Sequence, residues 1–242
     1  MAKKIGLKVK TPMPAVDAGD RRHTFEEVAT GYTVDMAVQE ASRCIECRNR
    51  PCVAGCPVEI DIPAFVKQVA DRDFEGAFRT LADKNVLPAI CGRVCPQEEQ
   101  CEKLCTIGVK FEPVAIGRIE RFVADHAAAM GLSDAGRPRP QPTGHRVAVV
   151  GSGPAGLTVA ADLAKLGHGV TIFEALHKTG GVLIYGIPEF RLPKAIVERE
   201  VNALRSLGVE IKTNHVIGRT FTVDELLTEL GYDAVFIGTG AG

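Results

Sequence analysis

The chain has 242 residues, enough for two domains, and its 29 basic and 30 acidic side chains leave a net charge of −1. This balance gives no electrostatic case for nucleic acid or an anionic membrane surface as a partner. No apolar run approaches the ~20 residues of a membrane span, and the N-terminus lacks the apolar core of a signal peptide, so the sequence predicts a cytoplasmic protein.

Residues 1–22 are basic, contain prolines and show no periodicity, so we predict an extended arm. Thr24 and Thr33 each stand at a helix-start pattern, and the second helix would present an apolar face before the first cysteine. A helical domain over residues 23–130 is expected to follow the arm.

All eight cysteines lie in this helical region, in two runs of four separated by the helical patterns Ile62 to Ala70 and Phe74 to Ala82. The thiols of a cytoplasmic protein stay reduced, so the runs indicate metal binding rather than disulfides. The N-terminal run is Cys44, Cys47, Cys52 and Cys56, and the C-terminal run is Cys91, Cys95, Cys101 and Cys105.

Two metal chemistries fit two groups of four thiols. Zinc sites with four cysteines also use C-x-x-C pairs. However, the C-terminal run has no such pair, and both runs contain a Cys-Pro step that is typical of ferredoxin-like sequences. The pattern therefore favours two [4Fe-4S] clusters over zinc.

A helix predicted from Val114 to Met130 carries Glu120 at the edge of its apolar face. Burying an unpaired carboxylate is costly, so Glu120 needs a partner. An arginine such as Arg93 or an iron atom would serve, and spacing alone leaves both open.

A linker over residues 131–145, rich in proline and glycine, marks the domain boundary, and residues 146–242 then begin with an apolar strand that runs into closely spaced glycines. Gly151 would allow the tight turn, Gly153 the close approach of a pyrophosphate, and Gly156 the packing of helix on strand. A second strand, Val170 to Phe173, ends at Glu174, near the position of a ribose-binding carboxylate. This arrangement predicts a dinucleotide site.

The last part of the chain begins with a loop, Lys178 to Lys194. Its glycines permit a close backbone approach to a ligand and its prolines fix turns, so the loop could be shaped around the ring system of a ligand. A surface loop without a ligand is the alternative. We then predict a helix over 193–207, a strand over 209–212, a helix over 223–230, and a buried strand before a second glycine turn.

Six motifs follow one another along the chain, namely C-x2-C-x4-C-x3-C-P, C-G-R-V-C-P-Q-x3-C-E-x2-C, I-G-R-I-E-R-F, V-V-G-S-G-P-A-G-L, Y-G-I-P-E-F-R-L-P-K and I-G-T-G-A-G. In these motifs and their order the chain resembles, from Phe25 onward, the glutamate synthase small-subunit family. This family includes the large subunit of the electron-bifurcating NADH-dependent ferredoxin:NADP oxidoreductase, sulfide dehydrogenase subunits and the N-terminal part of dihydropyrimidine dehydrogenase.

The resemblance implies a helical double [4Fe-4S] domain followed by a Rossmann-like FAD-binding domain. It places one cluster on Cys44, Cys47, Cys52 and Cys105, and the second on Cys56, Cys95, Cys101 and Glu120, with Cys91 left as a small buried side chain. It also assigns FAD contacts, namely Gly151, Gly153, Pro154, Ala155, Gly156, Glu174, Gly181, Tyr185, Gly186, Arg191, Thr239 and Gly240.

Family members continue into a second, NADPH-binding domain, whereas this sequence ends at Gly242. We therefore expect NADPH to be bound only by a region absent from this chain. The resemblance implies an electron-transfer subunit of a hetero-oligomer that passes electrons to a partner subunit or ferredoxin. The bifurcating transhydrogenase is the first interpretation, the small subunit of NADPH-dependent glutamate synthase the second, and a non-catalytic relay module the third.

Overall fold

The computed structural model describes residues 8–132 and 140–241. The chain divides into two compact units, residues 1–132 with 189–191 and residues 133–188 with 192–242. No helix in these described stretches is long and apolar enough to cross a membrane. The first unit is helical and the second contains a parallel sheet with helices, which fits the predicted fold class.

The helical unit contains seven α-helices and two short 3-10 turns among its described residues. The helices are α1 Ala18–Arg21, α2 Val34–Ala41, α3 Pro51–Ala54, α4 Ile62–Ala70, α5 Phe74–Ala82, α6 Pro88–Val94 and α7 Ile116–Ala129, and the turns are Gln97–Glu99 and Thr106–Val109. Side-chain caps explain four of the starts. Thr33 accepts from the N–H of Met36 at the start of α2, and Asp17, Asp61 and Asp73 cap α1, α4 and α5.

The core of this unit is formed where α7 packs against α4 and α5. Ile119 and Val123 of α7 are fully buried, as are Val66 of α4 and Leu81 of α5. These residues recur at helical spacing on one face of each helix, so the apolar periodicity in the sequence sets the packing.

A buried ion pair ties two non-helical segments to α2. Glu40 pairs with Arg43, and its carboxylate also accepts from the N–H groups of Thr11, at 2.7 Å, and Ala115, at 2.8 Å. Arg43 in turn donates to the carbonyls of Glu112 and Pro113. These bonds compensate the desolvation of both charges.

The predicted arm and the first predicted helix both differ from the structure. Residues 1–7 lie outside the described residues, but Thr11 is buried and α1 occupies Ala18–Arg21. The prediction of a helix that starts at Thr24 is wrong. The Thr24 hydroxyl accepts a hydrogen bond from the N–H of Glu26 and closes only a turn. Ala29 then forms an isolated antiparallel bridge with Ala15, which replaces helical hydrogen bonding.

Over the residues that the structure describes, the second unit contains four parallel strands in the order β3-β2-β1-β4. The strands are β1 Arg146–Val150, β2 Gly169–Phe173, β3 Glu210–Lys212 and β4 Ala234–Ile237, and the helices are α8 Pro154–Lys165, α9 Val182–Tyr185, α10 Lys194–Ser206 and α11 Val223–Thr228. Parallel strands that are joined through helices and have apolar central strands are typical of α/β sheets, whose ligands bind beyond the carboxyl ends of the strands.

The register of β1 and β2 positions the glycine turn. Val150 pairs with Phe173, so Gly151 and Glu174 leave the sheet side by side at its carboxyl edge. The prediction that the last strand is buried is wrong. β4 pairs with β1 on one side only in the described part of the chain, and Ile237 is 61% exposed.

Candidate cofactor sites

Four cysteines, three from the N-terminal run and one from the C-terminal run, line one cavity in the helical unit. Cys44 follows α2, Cys52 lies in α3, and Cys105 precedes the second 3-10 turn. Cys47 completes this first ligand group, and the rest of the lining is mainly apolar, including Ile62, Val66, Val114 and Ile116. The structure thus brings together the four thiols that the resemblance assigns to one cluster.

The cavity disfavours free thiolates. Burial, together with the charges of the neighbouring Cys44 and Cys105, raises the pKa of Cys52 to about 12. Since metal ligation requires the thiolate, a bound cation would have to compensate this cost. An apolar cavity with four converging thiols fits an iron–sulfur cluster held by cysteine ligands.

One hydroxyl accompanies this group. Thr106 Oγ1 lies 3.2 Å from Cys47 Sγ, and Thr106 also lines the cavity. When Cys47 is a thiolate, the threonine O–H is the donor. Sequence reasoning missed Thr106, because a threonine that follows a cysteine has no distinctive pattern.

In the second ligand group, Cys56, Cys95, Cys101 and Glu120, electrostatic interactions link neighbouring members. Burial raises the pKa of Cys101, and Glu102, Glu120 and Cys56 add to the rise through their charges. Burial, together with the charge of Cys95, raises the pKa of Glu120 to about 8. Cys101 therefore lies near Cys56 and Glu120, and Glu120 lies near Cys95. In residues 8–132 and 140–241, no three Cys, His, Asp or Glu side chains converge on a single-ion position.

Arg93 is not the partner of Glu120, so of the two alternatives that the sequence left open this arginine is excluded. Its guanidinium pairs with Glu27 at 2.8 Å and with Asp125 at 2.7 Å. These contacts point Arg93 toward the segment before α2 and the next turn of α7. Glu120 instead accepts a hydrogen bond of 2.7 Å from Asn85 Nδ2.

Cys91 differs chemically from its neighbour Cys95. A hydrogen bond between the two thiols, together with burial, raises the pKa of Cys91, whereas the same bond lowers the pKa of Cys95. Cys91 is therefore the protonated partner, and its Sγ also lies 3.6 Å from Asn85 Oδ1. This state suits the non-ligand role that the resemblance implies.

The glycine turn after β1 has three distinct environments. Gly151 has φ +98°, and a Cβ there would lie 2.3 Å from the carbonyl oxygen of Gly238. A Cβ on Gly156 would lie 2.0 Å from the carbonyl oxygen of Gly151, so this glycine lets α8 pack on β1. A Cβ on Gly153 would meet no protein atom within 4 Å. The space beside Gly153 is open, as a bound pyrophosphate at a helix N-terminus requires.

Glu174 is buried, and its carboxylate contacts the turn after β1 and the segment that follows β2. One carboxylate oxygen accepts from the N–H and hydroxyl of Ser152, and the other accepts from the N–H of Leu176 at 2.8 Å. Ser152 Oγ also accepts from the N–H of Gly180 at 2.9 Å. Sequence reasoning missed Ser152, which links the first glycine turn to the second glycine pair.

The remaining predicted flavin contacts lie on several loops. Pro154 and Ala155 are exposed in the first turn of α8, Gly181 precedes α9, and Gly186 ends it. The Tyr185 hydroxyl accepts from the N–H of Lys178 at 2.9 Å. Thr239 and Gly240 are exposed beyond β4, and Arg191 is exposed in segment 189–191, which is grouped with the helical unit.

Two protein-family models match the chain. Residues 21–132 match the family described as dihydropyrimidine dehydrogenase domain II, 4Fe-4S cluster, and residues 117–242 match pyridine nucleotide-disulphide oxidoreductase. The first match covers both cysteine runs and Glu120. It supports iron–sulfur chemistry over zinc.

Curated relatives align with almost the whole chain. The NAD-dependent dihydropyrimidine dehydrogenase subunit PreT of Escherichia coli O157:H7 is 37% identical over 222 residues, which are 92% of this chain and 53% of that protein. The glutamate synthase [NADPH] small chain of Escherichia coli K12 is 39% identical over 226 residues, 91% of this chain and 46% of that protein. The chain thus spans about half the length of these relatives.

The likeness to one solved structure is slight. The 6-hydroxypseudooxynicotine amine oxidase of Pseudomonas geniculata N1 matches with a TM-score of 0.37 and 19% identity, over 79% of this chain and 24% of that one. A likeness at this level carries no argument about the site.

Proposed function

The chain belongs to the pyridine nucleotide-disulphide oxidoreductase family, and from this premise we propose that it is the iron–sulfur and FAD-binding part of an electron-transfer oxidoreductase subunit. One observation carries the proposal. The fold gathers Cys44, Cys47, Cys52 and Cys105 around one apolar cavity although the last lies far from the others in sequence. Such a cavity needs a bound cation to hold its thiolates.

In this proposal the first ligand group holds one [4Fe-4S] cluster and the second ligand group holds another. The carboxylate of Glu120 is harder and more basic than a thiolate, so it would distinguish the second cluster electronically from the first. The clusters and flavin supply one- and two-electron redox chemistry when bound, while the chain positions them.

FAD binding is proposed for the carboxyl edge of the sheet. The open space beside Gly153 and the N-terminus of α8 suit a pyrophosphate. Gly151 and Gly156 keep the turn compact, and Glu174 at the end of β2 is positioned for the ribose while it also holds Ser152. The 178–194 loop, with Gly181, Tyr185, Gly186 and Arg191, would follow the flavin, and Thr239 and Gly240 would close the site.

The electron-transfer partner is also a proposal. The motifs most resemble the bifurcating NADH-dependent ferredoxin:NADP oxidoreductase large subunit, with a partner subunit or ferredoxin as electron carrier. The glutamate synthase small chain is the second candidate, supported by 39% identity to that protein. Copurification with a small flavin subunit favours the first, and with a large glutamine-dependent chain the second. No NADPH contact is proposed for these residues.

Anaerobic metal and flavin analysis tests the proposal. We expect about eight irons, matching sulfide and one FAD per chain, because each cubane cluster contains about four irons. Cys101→Ser should lose about half of the iron, whereas Cys91→Ser, a matched control, should keep all of it. Stoichiometric zinc, or equal iron loss in both variants, contradicts the assignment. Bleaching of the flavin by NADPH would show instead that these residues bind the nicotinamide as well.

A further inference from the structure

We infer that Asn85 is a positioning residue for the carboxylate of Glu120 in the second ligand group, an inference that rests on the proposed cluster. Asn85 is 6% exposed and lies between α5 and α6, outside every motif from which ligands were assigned. Its Nδ2 donates to Glu120 Oε1 at 2.7 Å.

Both polar atoms of the Asn85 amide form hydrogen bonds. While Nδ2 holds Glu120, Oδ1 accepts from the N–H of Leu87 at 2.9 Å and lies 3.6 Å from the thiol of Cys91. The bond to Leu87 fixes the amide plane against the start of α6. Asn85 is thus held by the backbone on one side and presents a fixed donor to the carboxylate on the other.

The Asn85 Nδ2 donor determines which oxygen of the Glu120 carboxylate is left for iron. Glu120 is buried on α7, and the arginines nearby in sequence are engaged elsewhere, Arg93 with Glu27 and Asp125, and Arg121 with Asp125 and the carbonyl of Ala29. Within the described residues no hydrogen bond reaches Oε2. Asn85 therefore orients the group through Oε1 and leaves Oε2 as the oxygen for iron, since outer contacts orient metal-bound carboxylates.

The same side chain accounts for the exclusion of Cys91. The contact with Asn85 Oδ1 and the hydrogen bond to Cys95 occupy its thiol, so a carboxylate rather than a fourth thiolate completes the second ligand group. Asn85 thus selects between two chemically different ligands that lie close together. The selection follows from the opposite polarity of the two ends of one amide.

Paired substitutions in the full chain test this role. Asn85→Asp keeps the acceptor for Leu87 but replaces the amide donor, whereas Asn85→Ala removes both. Each is made alone and with Glu120→Ala, and iron content, EPR spectra and midpoint potentials of the two clusters are recorded anaerobically. Asn49→Ala, an exposed asparagine in the N-terminal run, serves as the matched control.

We expect both Asn85 variants to alter the spectrum and midpoint potential of one cluster, the one that Glu120→Ala alters, and to leave the other unchanged. In the Glu120→Ala background neither should add a further change, because residues that act through one another are not additive. An Asn85→Asp spectrum and potential equal to wild type would show a turn-forming role only and would overturn the inference while Glu120 stays a ligand. If Glu120→Ala changes neither cluster at full iron content, the inference and the Glu120 assignment both fail; if the wild type lacks about eight irons, the proposed function fails with them.

Discussion

The backbone N–H of Ser152 donates to a carboxylate oxygen of Glu174 over 3.0 Å, and the Ser152 hydroxyl donates to the same oxygen. The hydroxyl also accepts from the N–H of Gly180. Ser152 therefore connects the turn after β1, the end of β2 and the 178–194 loop. These are the three segments proposed to bind FAD.

Replacing Ser152 with alanine should weaken FAD binding by about tenfold. A hydrogen bond to a charged group contributes about 1.5–3 kcal/mol, and the N–H of Ser152 stays bonded to Glu174 in the variant. Fluorescence titration of the flavin-free protein measures the dissociation constant, with Ser206→Ala in α10 as the control. Equal affinity in both variants would show that the hydroxyl does not organise the site.

The glycines of the turn after β1 should separate folding from flavin binding. A Cβ on Gly156 would lie 2.0 Å from the carbonyl oxygen of Gly151, whereas a Cβ on Gly153 would meet nothing within 4 Å. Gly156→Ala should therefore lower both thermal stability and FAD affinity. Gly153→Ala should keep the thermal unfolding midpoint of the flavin-free protein and reduce FAD affinity. Normal FAD binding by Gly153→Ala would place the pyrophosphate elsewhere.

Local signals in the sequence predicted the bounds of helices better than the contact partners of individual side chains. The bounds of α4 and α5 were predicted to the residue, because a capping aspartate and apolar periodicity lie within each segment. The partner of Glu120 depends on how α6 and α7 face each other, which no local pattern contains. Asn85 and Ser152 were missed for the same reason, since their importance lies in contacts to residues more than 20 positions away.

Thr106 should raise the midpoint potential of the cluster on the first ligand group. Its Oγ1 lies 3.2 Å from Cys47 Sγ, and hydrogen bonds to ligand sulfurs stabilise the more negative, reduced cluster. Thr106→Val keeps the shape but removes the donor, so its potential should fall, while Thr106→Ser should stay near wild type. EPR-monitored redox titration measures both. A potential that is the same in the valine and serine variants would contradict the role of this hydroxyl.

The buried pair of Glu40 and Arg43 should contribute far more to stability than an exposed pair. Arg43→Met leaves Glu40 buried without its cation, which costs about 3–5 kcal/mol, and it also releases the carbonyls of Glu112 and Pro113. Arg79→Met breaks an exposed pair with Glu75 and should cost less than about 1 kcal/mol. Anaerobic denaturant unfolding followed by circular dichroism measures both. Residues 112–115 lead from Cys105 into α7, so Arg43→Met should also speed the loss of iron at sub-denaturing concentrations of denaturant. Equal rates of iron loss in the two variants would show that this segment is held by other contacts.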